Sequence, residues 1–151
     1  MFDLSKKTVI IFGGSGILGT EFVKSLNVHN ATIISCDIRI PETKLENVVY
    51  KKVDALNKEE LENLSNEIVS KYGSIDVLVN CVTAKGDDFY LPFEEVSLEG
   101  WNIGLSGNLT IPFLTCKCFI KQMKKQKSGS IINISSIYGI VGNDQRIYEG
   151  S

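Results

Sequence analysis

Much that would steer this sequence toward other classes is scarce or missing. There is one histidine, His29, and there are four cysteines, Cys36, Cys81, Cys116 and Cys118, with no C-x-x-C pair among them. Without clustered His and Cys ligands no metal site is expected. The cysteines fall in predicted strands or a helix and read as reduced packing residues; Cys116 and Cys118 lie two apart on a predicted helix and so diverge. His29 follows a helix in H-N-A, where it complements a helix C-terminus rather than catalysing. Positive charge is in deficit as well: 16 Lys and Arg against 18 Asp and Glu give a net charge of -2. That balance leaves no field to hold nucleic acid or an anionic membrane. The start, M-F-D-L-S-K-K-T, lacks a signal-peptide pattern, and no apolar run approaches the ~20 residues of a bilayer span. A cytoplasmic location is expected, with residues 1–151 forming one domain.

What is present begins with T-V-I-I-F-G-G-S-G-I-L-G, Thr8 to Gly19. Thr8 to Phe12 reads as a short strand buried on both faces, followed by glycines at 13, 16 and 19 and then a helix. In this order the glycines suit a phosphate loop. Gly13 permits the turn out of the strand, Gly16 lets backbone approach a pyrophosphate, and Gly19 lets the helix pack closely. The loop residue Ser15 and the first-turn residues Ile17 and Leu18 would present their amides to the anion. The spacing is G-x-x-G-x-x-G rather than G-x-G-x-x-G, and a glycine-rich turn with no ligand is the competing reading.

Strands and helices alternate from there. Ile17, Leu18, Phe22, Val23 and Leu26 mark the apolar side of a helix to about Asn27, and A-T-I-I-S-C leads as a second strand into Asp37. An acid at that tip accepts hydrogen bonds from ribose hydroxyls and repels a 2′-phosphate, which argues for NAD(H) over NADP(H). Arg39 pulls the other way, because a guanidinium can bind that phosphate or stack on adenine. Val48 to Val53 is a third strand ending at Asp54 and Ala55, on the same rim as Asp37. Asn57 caps a helix to Tyr72, with Glu60 as capping-box partner, Leu61, Leu64, Ile68 and Tyr72 inward, and Gly73 as the stop. Ile75 to Asn80 is a fourth strand, followed by Cys81 and Val82 and a polar loop. Ser97 should cap a short helix with Trp101 packed inward, Asn108 should open a longer one closed by Gly129, and Ser130 to Ser135 should form a fifth strand. The pattern implies an α/β doubly wound parallel sheet, with ligands at the carboxyl ends of its strands.

With Asn80, Asn108 and the Ser135-Ser136 pair placed, the motif series resembles the short-chain dehydrogenase/reductase family over essentially the whole chain. The resemblance implies a Rossmann fold of strand order 3-2-1-4-5 and an NAD(P)-dependent oxidoreductase moving a hydride between nicotinamide and an alcohol or ketone, sugar derivatives included. It implies pyrophosphate at the Gly13 to Gly19 loop, ribose at Asp37, adenine at Asp54, and further cofactor contacts at Asn80, Cys81 and Val82. The catalytic candidates are Asn108, matching the helix Asn of N-L-T-G and ordering a relay water, and Ser136 of I-N-I-S-S, holding the substrate oxygen. Each has a plainer use, Asn108 as a helix cap and Ser136 as a turn residue. The fourth strand of the family usually ends N-N-A-G, where this chain has Asn80-Cys81-Val82-Thr83. The resemblance further implies a homo-oligomer formed through the long helix after Asn108.

The family's Y-x-x-x-K pair is absent. Tyr50, Tyr72, Tyr90 and Tyr138 are followed four residues on by Asp54, Asp76, Glu94 and Gly142, and Tyr148 stands too near Ser151. The tyrosine that would do the proton transfer therefore lies outside these residues. Two explanations stand: the N-terminal part of a longer enzyme, which is expected, or a truncation that binds a dinucleotide without turnover. The first is preferred because a sheet cut after its fifth strand leaves an apolar edge at Ile131 to Ile134. Rival functions are a non-catalytic dinucleotide-binding or interaction domain and an extended-type sugar-nucleotide epimerase or dehydratase.

Overall fold

The computed structural model describes residues 3–142, 144 and 146; Tyr148 lies outside them. Five strands form one parallel sheet in the order β3-β2-β1-β4-β5: β1 Thr8–Phe12, β2 Thr32–Asp37, β3 Val48–Lys52, β4 Val77–Asn80 and β5 Ser130–Asn133. β1 sits at the centre, which explains its unbroken apolar run: all five of its residues are buried, because helices cover both faces. Val9 and Ile11 point to one side, packing with Val23 of helix α1, Ile17–Asn27. Ile10 and Phe12 point to the other, where they meet Leu61, Leu64 and Ile68 of helix α2, Lys58–Tyr72, together with Phe119 and Met123.

The end signals of α2 form largely as expected. The Asn57 side chain accepts from the Glu59 and Glu60 amides, and Gly73 closes the helix in the left-handed region at φ 81°. Glu60, however, reaches back to the Asp54 amide at 2.9 Å rather than to that of Asn57, which already donates to the Asp54 carbonyl. The capping residues thus also fix the backbone at the tip of β3.

The region after β4 departs from expectation. Helices α3, Leu98–Leu105, and α4, Ile111–Gln126, are not separate; a π-helical segment, Ser106–Thr110, joins them into one helix of 29 residues. Asn108 lies inside that helix, so its reading as a helix start is corrected. The fused helix is long and apolar enough to span a bilayer, contrary to the expectation from separate runs. Its Thr115, Phe119 and Met123 are nonetheless buried. Trp101 is 54% exposed rather than packed inward, since α3 buries none of its residues. The helix stops at Lys127, at φ 54°, and not at Gly129, which instead makes room for Met123. β3, β4 and β5 are each one or two residues shorter than expected.

Phe119 is fully buried and packs its ring 5.7 Å from that of Phe12. Phe119→Ala is expected to lower unfolding free energy by about 3–5 kcal/mol in denaturant titration, the usual effect of emptying a large aromatic site. A change under about 1 kcal/mol would show that the helix does not close this face. On the other side of the sheet's margin, β5 is an edge strand, and Ile132 and Ile134 are exposed, as the sequence led one to expect.

Candidate functional site

One cavity of about 1500 Å³ opens along the carboxyl ends of the strands. Its floor is the β1–α1 turn. Gly13 adopts φ 81°, and a Cβ there would come within 2.8 Å of the peptide between Cys81 and Val82. At Gly19 a Cβ would run into the Gly13 carbonyl oxygen, so the helix lies against the turn only because that atom is missing. Gly19 is itself buried and off the cavity wall. Gly16 faces the cavity, and a methyl added there would meet only the Gly13 carbonyl oxygen, 3.3 Å away.

Helix α1 starts at Gly16 with no side-chain cap and no acidic residue in its first turn. By contrast, Asn57 caps α2 and Ser97 caps α3. The first-turn amides of α1, at Ile17 and Leu18 on the cavity wall, thus present donors and the positive end of the helix dipole to whatever enters. Beside them stands Asp37. One carboxylate oxygen accepts from the Ser15 amide at 3.0 Å and the other from the Arg39 amide at 3.2 Å, while the Ser15 hydroxyl donates to the Arg39 carbonyl at 2.8 Å. Each oxygen retains lone-pair capacity for a further donor. This small network ties the glycine turn to the end of β2.

Asp54 and Ala55 at the end of β3 complete the same wall, Asp54 holding the Leu56 amide at 2.9 Å. Cys81 and Val82 form the β4 side. The Cys81 thiol donates to the Phe12 carbonyl at 3.0 Å; burial, and secondarily the charge of Asp37, push it up to about 11, so it stays a neutral thiol.

Of the sequence-derived residues the cavity gathers Gly13, Ser15, Gly16, Ile17, Leu18, Asp37, Arg39, Asp54, Ala55, Cys81 and Val82. Four lie off its wall: Gly19, already described, and Asn80, Asn108 and Ser136. Asn80 is 2% exposed, with its amide turned under the sheet: Nδ2 donates to Asn133 Oδ1 at 2.8 Å and Oδ1 accepts from the Thr115 hydroxyl at 2.9 Å. The side chain forms an internal link between β4, β5 and the long helix. Asn108 donates to the carbonyls of Gly104 at 2.9 Å and Ala84 at 3.2 Å, fastening the loop after β4 to the π segment. Ser136 is exposed and accepts from the Tyr138 amide at 3.2 Å, the turn use.

Sequence reasoning missed the far wall, formed by Glu99, Asn102, Ile103 and Ser106 on the fused helix. Their i, i+3, i+4, i+7 spacing is a helical face and was available as a signal. Ile38, Ile40 and Glu42 after β2 were missed too; they lie in an irregular loop that carries no periodicity. Charge on the wall is lopsided: Asp37, Glu42, Asp54 and Glu99 against Arg39.

The comparisons agree with this geometry. A rat L-fucose dehydrogenase is 32% identical over 148 residues, covering 95% of this chain and 54% of its own length. A short-chain dehydrogenase from Leptospira borgpetersenii, solved with bound NAD+, superposes with a TM-score of 0.86 at 29% identity, over 97% of this chain and 57% of that one. The structure of ElxO with NADP bound superposes with a TM-score of 0.82 at 25% identity, over 93% and 60%. The chain thus spans about half the length of the curated relatives it matches. The short chain dehydrogenase family pattern matches residues 7–151, and with the sheet order and the glycine turn this places the chain in the short-chain dehydrogenase/reductase family.

Proposed function

We propose that this chain is the cofactor-binding part of an NAD-dependent short-chain oxidoreductase, whose substrate is a small alcohol or ketone such as a sugar derivative. The observation that carries the reading is the uncapped start of α1 beside Asp37, on the wall of a cavity that has room for a dinucleotide. The diphosphate would lie on the amides of Ile17 and Leu18, over the space Gly16 leaves open. The adenosine ribose would hydrogen-bond Asp37, and the adenine would sit by Asp54 and Ala55. When bound, the nicotinamide would supply or take the hydride. Asn108 and Ser136 keep the roles that family resemblance implies, a water-ordering amide and a hydroxyl for the substrate oxygen. The sugar-type substrate is supported by the likeness to the fucose dehydrogenase, and a homo-oligomer by the apolar side chains that Leu109, Phe113 and Ile120 leave exposed on the long helix.

The preference for NAD(H) rests on charge. A 2′-phosphate would bring about two negative charges beside Asp37 on a wall with four carboxylates and one guanidinium. Titrating NADH and NADPH by fluorescence tests this: NADH should bind at least ten-fold tighter. Equal or tighter NADPH binding overturns the preference, and binding of neither at millimolar concentration overturns the site. A second reading, binding without turnover by these residues alone, is favoured by the position of Asn108 and Ser136 off the cavity wall. Turnover with any alcohol by this chain alone would refute it.

A further inference from the structure

A smaller groove of about 390 Å³ runs between α2 and α4 and shares no wall residue with the large cavity. On α2 it is lined from positions 62, 65, 66, 69 and 70, one continuous face of that helix. Three of those side chains, Ser65, Asn66 and Ser70, are short and polar, which leaves the space between the helices open. The α4 side presents Lys121 and Lys125, one turn apart and so on the same side of their helix.

Charge in the groove is unbalanced. The two ammonium groups share it with one carboxylate, Glu62, whose oxygen lies 3.9 Å from Lys121 with both side chains 64% exposed. A pair that long and that exposed holds its ammonium weakly. Lys125, Asn66 and Ser70 make no hydrogen bond or ion pair among the described residues. Attraction to the C-terminal end of the helix dipole accounts for lysines in the last turn of α4, Lys124 and Lys125, but Lys121 stands a turn earlier. The free donors that line the groove are thus two ammonium groups, an amide and a hydroxyl. A phosphate monoester has three terminal oxygens to share among such a set, where a carboxylate has two. The volume lies near the lower end of small-ligand sites, roughly 300–1,000 Å³, which suits a small ester.

We propose that this groove is a second binding site, for the phosphate group of a small phosphate ester, with Lys121 and Lys125 supplying the charge and Asn66 and Ser70 the directed hydrogen bonds. The site stands or falls independently of the dinucleotide cavity. Titrating the isotope-labelled chain with inorganic phosphate at constant ionic strength, and following its amide resonances by NMR, tests the proposal. The resonances of Asn66, Ser70 and Lys125 should shift saturably, with a Kd in the millimolar range, while acetate should leave them near their starting positions. The double variant Lys121→Gln with Lys125→Gln should bind phosphate about ten-fold or more weakly, and Ser70→Ala about three-fold more weakly. Lys124→Gln removes a charge from the same helix but off the groove wall, so it should stay within about two-fold of wild type. All these side chains are exposed, so the fold should be retained in each variant. Equal shifts with acetate, a loss in Lys124→Gln as large as in the double variant, or saturable shifts confined to the glycine turn or absent altogether would overturn the site.

Discussion

Asp37→Ala is expected to weaken NADH binding by about ten- to a hundred-fold while leaving the sheet intact. Two losses combine. A carboxylate accepting from ribose hydroxyls makes charge-assisted hydrogen bonds, worth about 1.5–3 kcal/mol against a neutral or missing partner. The same carboxylate also holds the Ser15 and Arg39 amides at 3.0 and 3.2 Å, so its removal frees the turn that should receive the diphosphate. Asp37 is half-buried at a strand end rather than in the core, so the melting midpoint should move little. Discrimination against NADPH should shrink in the same variant, because the charge nearest the 2′ position is gone while Arg39 remains. Asp37→Asn separates the effects: it keeps an acceptor but not the charge, and should recover part of the NADH affinity without the selectivity. Wild-type NADH affinity in Asp37→Ala, measured by the same titration, would remove the ribose contact from the account.

Gly19→Ala is the change expected to hurt the fold most for its size. A single methyl there runs into the Gly13 carbonyl oxygen and lies within 2.7 Å of Gly14 Cα, both backbone atoms that no rotamer change can move aside. Helix α1 would have to lift off the turn. The cost should be about 3 kcal/mol or more in denaturant titration, at or above the usual range for overpacking, and cofactor affinity should fall with it. Gly16→Ala is the contrast. Its added methyl meets only the Gly13 carbonyl oxygen, at 3.3 Å, so stability should change by about 1 kcal/mol or less. Yet NADH affinity should drop clearly, since the methyl stands where a diphosphate approaches. The two glycines thus divide structure from binding, and equal stability losses in both variants would contradict that division.

How far the sequence alone reached can be seen in particular residues. Thr8 to Phe12 and the glycines after it were readable because burial on both faces and a left-handed turn each demand specific residue types. Asp37 and Asp54 were readable because strand tips of a parallel sheet share one rim. The fused helix was not, since Gly104, Gly107 and a cap-like Asn108 all look like punctuation. Gly107 is there to admit Ala84, a long-range contact that leaves no local trace. Asn80 was rightly placed at the end of β4, but the direction of its side chain, which strand parity could have revealed, was not read. It sits two residues after Leu78 and so points to the same side, toward the long helix, where Thr115 and Asn133 satisfy its amide. Trp101 failed the usual inward rule because α3 rides on the cavity margin and buries none of its residues.

The central claim is that the cavity between the glycine turn and the long helix receives a dinucleotide in one direction. A crystal structure of this chain with NAD+ tests it most directly. The account predicts diphosphate oxygens within hydrogen-bonding distance of the Ile17 and Leu18 amides, with the adenosine ribose hydroxyls on Asp37. Adenine on the β4 side of the turn, or a diphosphate held anywhere other than at the start of α1, would contradict it.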